Sequence, residues 1–118
     1  FSPIYSLSRY LEDNRIYRPI ILDWGIYHDL IFLSQGKILP QTFNYVEGSY
    51  GKEEFIRVCK SDFKEPHMYV FHTPEFTNRS DVRLLFTELC KESGKSIYTE
   101  KVFYQRDGRS VYSVCSVR

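Results

Sequence analysis

Two short stretches of this chain are apolar at consecutive positions: Pro19-Ile20-Ile21-Leu22-Asp23-Trp24 and Met68-Tyr69-Val70-Phe71-His72. Successive side chains of a strand point to opposite faces, so a strand with one wet face alternates polar and apolar residues. A run without alternation belongs to a strand covered on both sides. That requirement calls for a sheet with helices above and below it, and the segments between the runs read as helices.

Ser2-Pro3 reads as an N-cap with proline at the first helical position, and Ile4, Leu7 and Leu11 follow at helical spacing to about Asn14. Ile26, Leu30, Ile31 and Leu33 form a second stripe, with Gly36 where a left-handed C-terminal cap belongs. Gln41 to Val46 predicts a second strand, closed by the polar turn Glu47-Gly48-Ser49. Gly51 and Glu54 resemble a cap with its N3 acid, opening a helix whose apolar face is Phe55, Ile56 and Cys59. After the Met68–His72 strand, closed by Thr73-Pro74-Glu75, Ser80 and Asp81 open the clearest helix. Val82, Leu85, Phe86, Leu89 and Cys90 give it one apolar face, and Gly94 ends it. Ser96 to Gln105 and Ser110 to Val117 flank Asp107-Gly108, a strong hairpin signal. The alternation in the last run predicts one partly exposed face.

The expected fold is therefore α/β and three-layered, a mainly parallel five-stranded sheet with helices on both faces, built in the order α-β-α-β-α-β-α-β-β. The short, right-handed connections typical of such folds favour the strand order 2-1-3-4-5, with the fifth strand antiparallel at an edge. All 118 residues form one domain, a length that supports a core without a metal or a disulfide framework.

Charge and cysteine usage narrow the function. Sixteen Lys and Arg balance fifteen Asp and Glu, so nothing points to a nucleic-acid partner. The aromatic and basic residues Lys101, Phe103, Tyr104 and Arg106 read as a packed sheet face rimmed with charge rather than as a single-strand platform. No apolar run approaches the ~20 residues of a membrane span. The three cysteines, Cys59, Cys90 and Cys115, form no CxxC pair and fall on apolar stripes, which predicts buried free thiols and no metal site. A Cys–His dyad with His28, His67 or His72 is correspondingly disfavoured. Asn78-Arg79-Ser80 matches an N-glycosylation triplet, a pattern that arises often by chance. Gly-rich phosphate loops, a Walker sequence and a nucleophile elbow are all missing from the sequence, and no cofactor is expected.

In an open α/β sheet, ligands bind outside the carboxyl ends of the strands where strand order reverses. That point lies between the first and third strands, which brings Asp23, Trp24, Gly25, Tyr27 and His28 towards His72, Thr73, Pro74 and Glu75. Asp23, Trp24, Gly25, His28, His72 and Glu75 are the candidate ligand-binding residues. Carboxylates accept hydrogen bonds from hydroxyls and an indole face stacks on a sugar ring, so the crevice suits a saccharide or another small polar ligand. Asp23 with Glu75 is a candidate acid pair. The same residues also have a scaffolding role to play, with Asp23 capping the second helix, Trp24 filling the core and His72 ending a strand.

The segments Pro19-Ile20-Ile21-Leu22-Asp23-Trp24-Gly25 and Leu30-Ile31-Phe32-Leu33-Ser34-Gln35-Gly36, with the helix Tyr5 to Asn14 before them, resemble a known family. They are similar to the soluble extracytoplasmic domain of polytopic glycosyltransferases of the dolichyl-phosphate-mannose protein mannosyltransferase-like group and its bacterial relatives. The resemblance covers about the first third of the chain, and the rest through element order. It implies a parent enzyme with a lipid-phosphate sugar donor and a catalytic acid in a membrane-proximal loop outside this chain. It carries no catalytic residue onto these positions. The domain's implied role is acceptor recognition, gating or assembly, its implied partners are a saccharide or protein acceptor and the parent's transmembrane helices, and its implied location is the extracytoplasmic side of a membrane. The chain opens on Phe1 rather than Met, which fits a domain excised from a larger membrane protein. Two other readings stand beside this one: an independent ligand-binding or hydrolytic domain with its crevice at Asp23 and His72, and an interaction module that uses the edge of the C-terminal hairpin.

Overall fold

The computed structural model describes residues 2–23, 25–42, 51–77 and 80–118. Among the described residues, nine elements follow in the expected order: α1 (Pro3–Asp13), β1 (Ile20–Ile21), α2 (Tyr27–Leu33), β2 (Gln41–Thr42), α3 (Gly51–Asp62), β3 (Met68–His72), α4 (Ser80–Glu92), β4 (Ile97–Tyr104) and β5 (Ser110–Val117). Positions 43–46 of the expected second strand and the turn at 47–49 lie outside the described residues, as do Trp24 and the Asn78-Arg79 part of the glycosylation triplet.

The fold is three-layered α/β, with a mixed sheet in the order β2-β1-β3-β5-β4. β1 pairs parallel with β2 and with β3, whereas β5 runs antiparallel to both β3 and β4. Two expectations are corrected here. The sheet is parallel only across β1, β2 and β3, and the edge strand is β4 rather than the last strand. Side-chain chemistry explains the exchange. Val111, Ser113, Val114, Cys115 and Val117 of β5 are buried, on both faces of the strand. β4 instead carries exposed Tyr98, Thr99, Glu100 and Lys101 along its first half, and such a segment is stable only at an edge. The alternation in β5 shows as expected: Val111, Ser113, Cys115 and Val117 are buried on one face, while Tyr112 and Ser116 flank buried Val114 on a partly exposed one.

The two layers of helices divide the core. Ile20, Leu22, Tyr69, Phe71, Cys115 and Val117 point to the α3 and α4 side and meet Phe55, Cys59, Val82, Phe86 and Leu89. Ile21, Val70 and Val114 point the other way and meet Leu7 and Leu11 of α1, Ile26 just before α2 and Leu30 within it. Phe86 sits at the centre of the first layer, with the rings of Phe63, Tyr69 and Phe71 at centroid distances of 5.6, 4.9 and 5.4 Å.

Three helices close with the same long backbone bond. Ile16 N–H donates to the Leu11 carbonyl, Gly36 N–H to Ile31 and Lys95 N–H to Cys90. This motif places one residue in the left-handed region. Gly94 fills that position after α4 (φ +70°), but Arg15 and Gln35 fill it after α1 and α2, at φ 56° and 55°. Gly36, expected as the cap of α2, is the residue after the cap and is also left-handed, at φ +80°.

Candidate functional site

β1 and β3 lie side by side, and the connections leaving them go to opposite faces: α2 packs on one layer and α4 on the other. Their carboxyl ends form the topological switch point, where Asp23 follows β1 and His72 ends β3. Leu22 N–H donates to the Val70 carbonyl at 3.3 Å, which carries the pairing forward to Asp23.

Asp23 is 3% exposed, and both of its oxygens are engaged. The backbone N–H of His72 donates to Oδ2 at 2.8 Å, and the Thr77 hydroxyl donates to Oδ1 at 2.7 Å. The His72 ring nitrogen Nδ1 lies 3.7 Å from Oδ1, a charge contact rather than a hydrogen bond. Burial pushes the carboxyl pKa up, but the His72 ring, the Thr77 hydroxyl and the His72 backbone N–H outweigh it and hold Asp23 below its ordinary value. Asp23 thus ties β1 to the end of β3 and to the turn before α4. The expected capping of α2 is not what it does: α2 starts from Ile26 without a side-chain cap.

His72 is packed between several elements. Its ring stacks on Tyr112 of β5, its register partner, at 5.2 Å and 26°. Its carbonyl accepts a hydrogen bond from the Arg83 guanidinium of α4 at 2.8 Å, and that guanidinium lies 4.8 Å over the Phe71 ring. Among the described residues, the buried Nδ1 has no hydrogen-bond partner. The pairing register slips by one residue at Val111 of β5, a bulge beside the site. There the Val111 and Ser110 carbonyls accept the N–H and the hydroxyl of Thr73, at 2.8 and 2.7 Å. Burial raises the Tyr112 phenol, and the Asp29 charge raises it further.

The other candidates are less closely held. Gly25 is exposed at φ +83°, a backbone shape that favours glycine. His28 is exposed on α2, its ring edge-on to Tyr27 at 5.1 Å. Glu75 is exposed in the turn after β3, while Asp23 is buried and bonded to other partners, so the two carboxylates occupy contrasting surroundings. Trp24 lies outside the described residues. Thr77, Tyr112 and Arg83 belong to the constellation, and the sequence does not single them out. Only the strand pairing brings Tyr112 opposite His72, and no local pattern announces it.

The cysteines are buried and free, as their apolar stripes imply. Burial pushes the Cys59 thiol up to about 12 and the Cys90 thiol up to about 11, and it raises Cys115 as well. A thiol so high is protonated at neutral pH and is a poor nucleophile. Two clefts lie away from the switch point. One, of about 200 Å³, runs between α1 and the end of α2, and the other, of about 330 Å³, lies beneath the start of β3 and the end of β5. No helix among the described residues is long and apolar enough to cross a membrane. No protein-family model, curated protein or solved structure matches the chain.

Proposed function

We propose that this chain is an accessory domain of a polytopic glycosyltransferase that uses a lipid-phosphate sugar donor. It would lie on the extracytoplasmic side and serve acceptor recognition, gating or assembly rather than the chemical step. The observation that supports a non-chemical role is the state of Asp23. The carboxylate at the switch point spends both oxygens on the fold, through His72 and Thr77. Asp23, within the segment that carries the resemblance, therefore works as architecture here.

The test has two arms. The reading frame upstream of Phe1 should encode several apolar helices of ~20 residues. In the full-length enzyme, reconstituted with a lipid-phosphate-mannose donor, Asp23→Asn should lower thermal stability and leave the transfer rate per folded molecule unchanged. A frame without such helices, or an Asp23→Asn enzyme that is stable but inactive, overturns the proposal.

A second reading takes His72 as a ligand-binding group of an independent domain, with a saccharide or other small polar molecule in the crevice. What favours it is the buried Nδ1 without a hydrogen-bond partner among the described residues. Under this reading His72→Ala abolishes binding while the fold persists. Strand addition at the hairpin edge has less support. Lys101 and a register slip at Glu100 sit in the middle of β4, and an edge lysine and a bulge both discourage pairing with another chain.

A further inference from the structure

Two buried polar atoms in the α3–α4 layer have no hydrogen-bond partner among the described residues: the Tyr69 hydroxyl and Asp62 Oδ2. Tyr69 is 1% exposed, and its ring packs on Phe86 at 4.9 Å. The chain brings the two groups to one place. Asp62 is the last residue of α3, and its Oδ1 lies 3.7 Å from His67 Nε2. His67 and Tyr69 stand two residues apart where the chain enters β3, so they share the face turned to α3. Cys59, one turn before Asp62, and Phe63, the residue after it, lie in the same core layer as Tyr69 and Cys90. The electrostatics agrees with this placement. Burial raises the Tyr69 phenol, and the nearby Asp62, Cys59 and Cys90 raise it further. Burial raises the Asp62 carboxyl as well, more than the His67 ring lowers it.

An orphaned buried polar atom costs stability, and native proteins satisfy nearly all of them. The chemistry of these two selects what satisfies them. The phenol has a proton to donate and the carboxylate oxygen only accepts, so a shared partner must accept from one and donate to the other. An anion has no proton for the carboxylate and is repelled by its charge. A cation leaves the phenol proton without an acceptor, and among the described residues no cluster of three His, Cys, Asp or Glu side chains could hold a metal ion. Neither Tyr69 nor Asp62 lines the two clefts, so neither cleft delivers a larger solute to them. Water meets both demands, and buried water characteristically bridges polar groups that lack protein partners. We propose that one water molecule is bound inside the α3–α4 layer, accepting a hydrogen bond from the Tyr69 hydroxyl and donating one to Asp62 Oδ2. It ties the end of α3 to the start of β3. The site is separate from the switch point and stands whether or not the parent enzyme is a glycosyltransferase.

The test is oxygen-17 magnetic relaxation dispersion of water around the 118-residue chain, which counts water held inside a protein, run beside urea unfolding. Tyr69→Phe keeps the ring in the core and removes only the hydroxyl, and the difference from wild type isolates this site. It should lower the dispersion amplitude by about one held water and lower the folding equilibrium constant roughly three- to tenfold. Asp62→Ala should lower it too, and the two changes together should cost less than their separate effects combined, because both break one bridge. Sodium and potassium chloride at equal strength should give the same Tm. The proposal is overturned if Tyr69→Phe loses no held water, or if it raises stability, as deleting an orphaned hydroxyl does. Simple additivity of the two substitutions overturns it as well, and so does a Tm that depends on which cation is present.

Discussion

Replacing Asp23 probes the joint that holds the switch point together. The carboxylate receives two hydrogen bonds, from His72 N–H at 2.8 Å and from the Thr77 hydroxyl at 2.7 Å. Asparagine keeps one carbonyl oxygen for the His72 N–H and turns its amide towards Thr77, whose hydroxyl can rotate to accept. What is lost is the charge on the acceptor, which is worth about 1–2 kcal/mol across the two bonds. Alanine strands the buried His72 N–H altogether and costs about 2–4 kcal/mol. For a chain of this length each kcal/mol lowers Tm by roughly 3–6 °C. The acid limb separates this account from simple loss of packing. The folded pKa of Asp23 is depressed, so between the folded and unfolded values the unfolded chain binds more protons. The stability it supplies is complete above the unfolded value of roughly 4 and disappears as pH falls through the folded one. Urea unfolding followed by far-UV circular dichroism at about pH 7 and near pH 3 measures both quantities. The gap between wild type and Asp23→Asn should be widest at neutral pH and narrow in acid. An equal gap at both pH values, or no gap at neutral pH, refutes the reasoning.

Three further outcomes follow from the packing. Phe86→Ala removes the ring at the centre of the α3–α4 layer and should cost about 3–5 kcal/mol in denaturant unfolding. Arg15→Gly relieves a left-handed residue at φ 56° and should raise stability by up to about 1 kcal/mol, read as a higher Tm. The three thiols should react with a maleimide near neutral pH only as fast as the chain unfolds, since burial holds Cys59 and Cys90 at about 12 and about 11. Full labelling of the native protein within minutes contradicts their burial.

The layered fold was legible because its evidence is local. The runs at Ile20–Leu22 and Met68–His72 lack alternation, α4 repeats its apolar positions every three or four residues, and Asp107-Gly108 marks a turn. Strand order depends on competition between strands for the interior, and here the polar middle of β4 lost to Val111, Val114 and Val117 of β5. Asp23 and His72 stand, as expected, at the carboxyl ends of adjacent strands. Their partners Thr77, Tyr112 and Arg83 come from three other segments, and only the folded sheet brings them within reach. The caps show the same limit from the other side. Gly94 announces its left-handed turn, but Arg15 and Gln35 adopt the same conformation with no glycine to signal it.

The position of β5 also sets a rule for how the domain is made. β3 and β4 are not hydrogen-bonded to one another, and the strand that follows them both in the chain is the seam that joins them. As the polypeptide emerges from the ribosome, residues 1–109 can assemble helices and a partial sheet, but that sheet has a gap in its interior until Ser110–Val117 arrives. Side chains such as Val70 and Phe71 would meanwhile lack their neighbour. Completion of the fold therefore waits for this strand to be translated. A product that stops before Ser110 presents two raw strand borders to every protease and every other unfinished chain it meets.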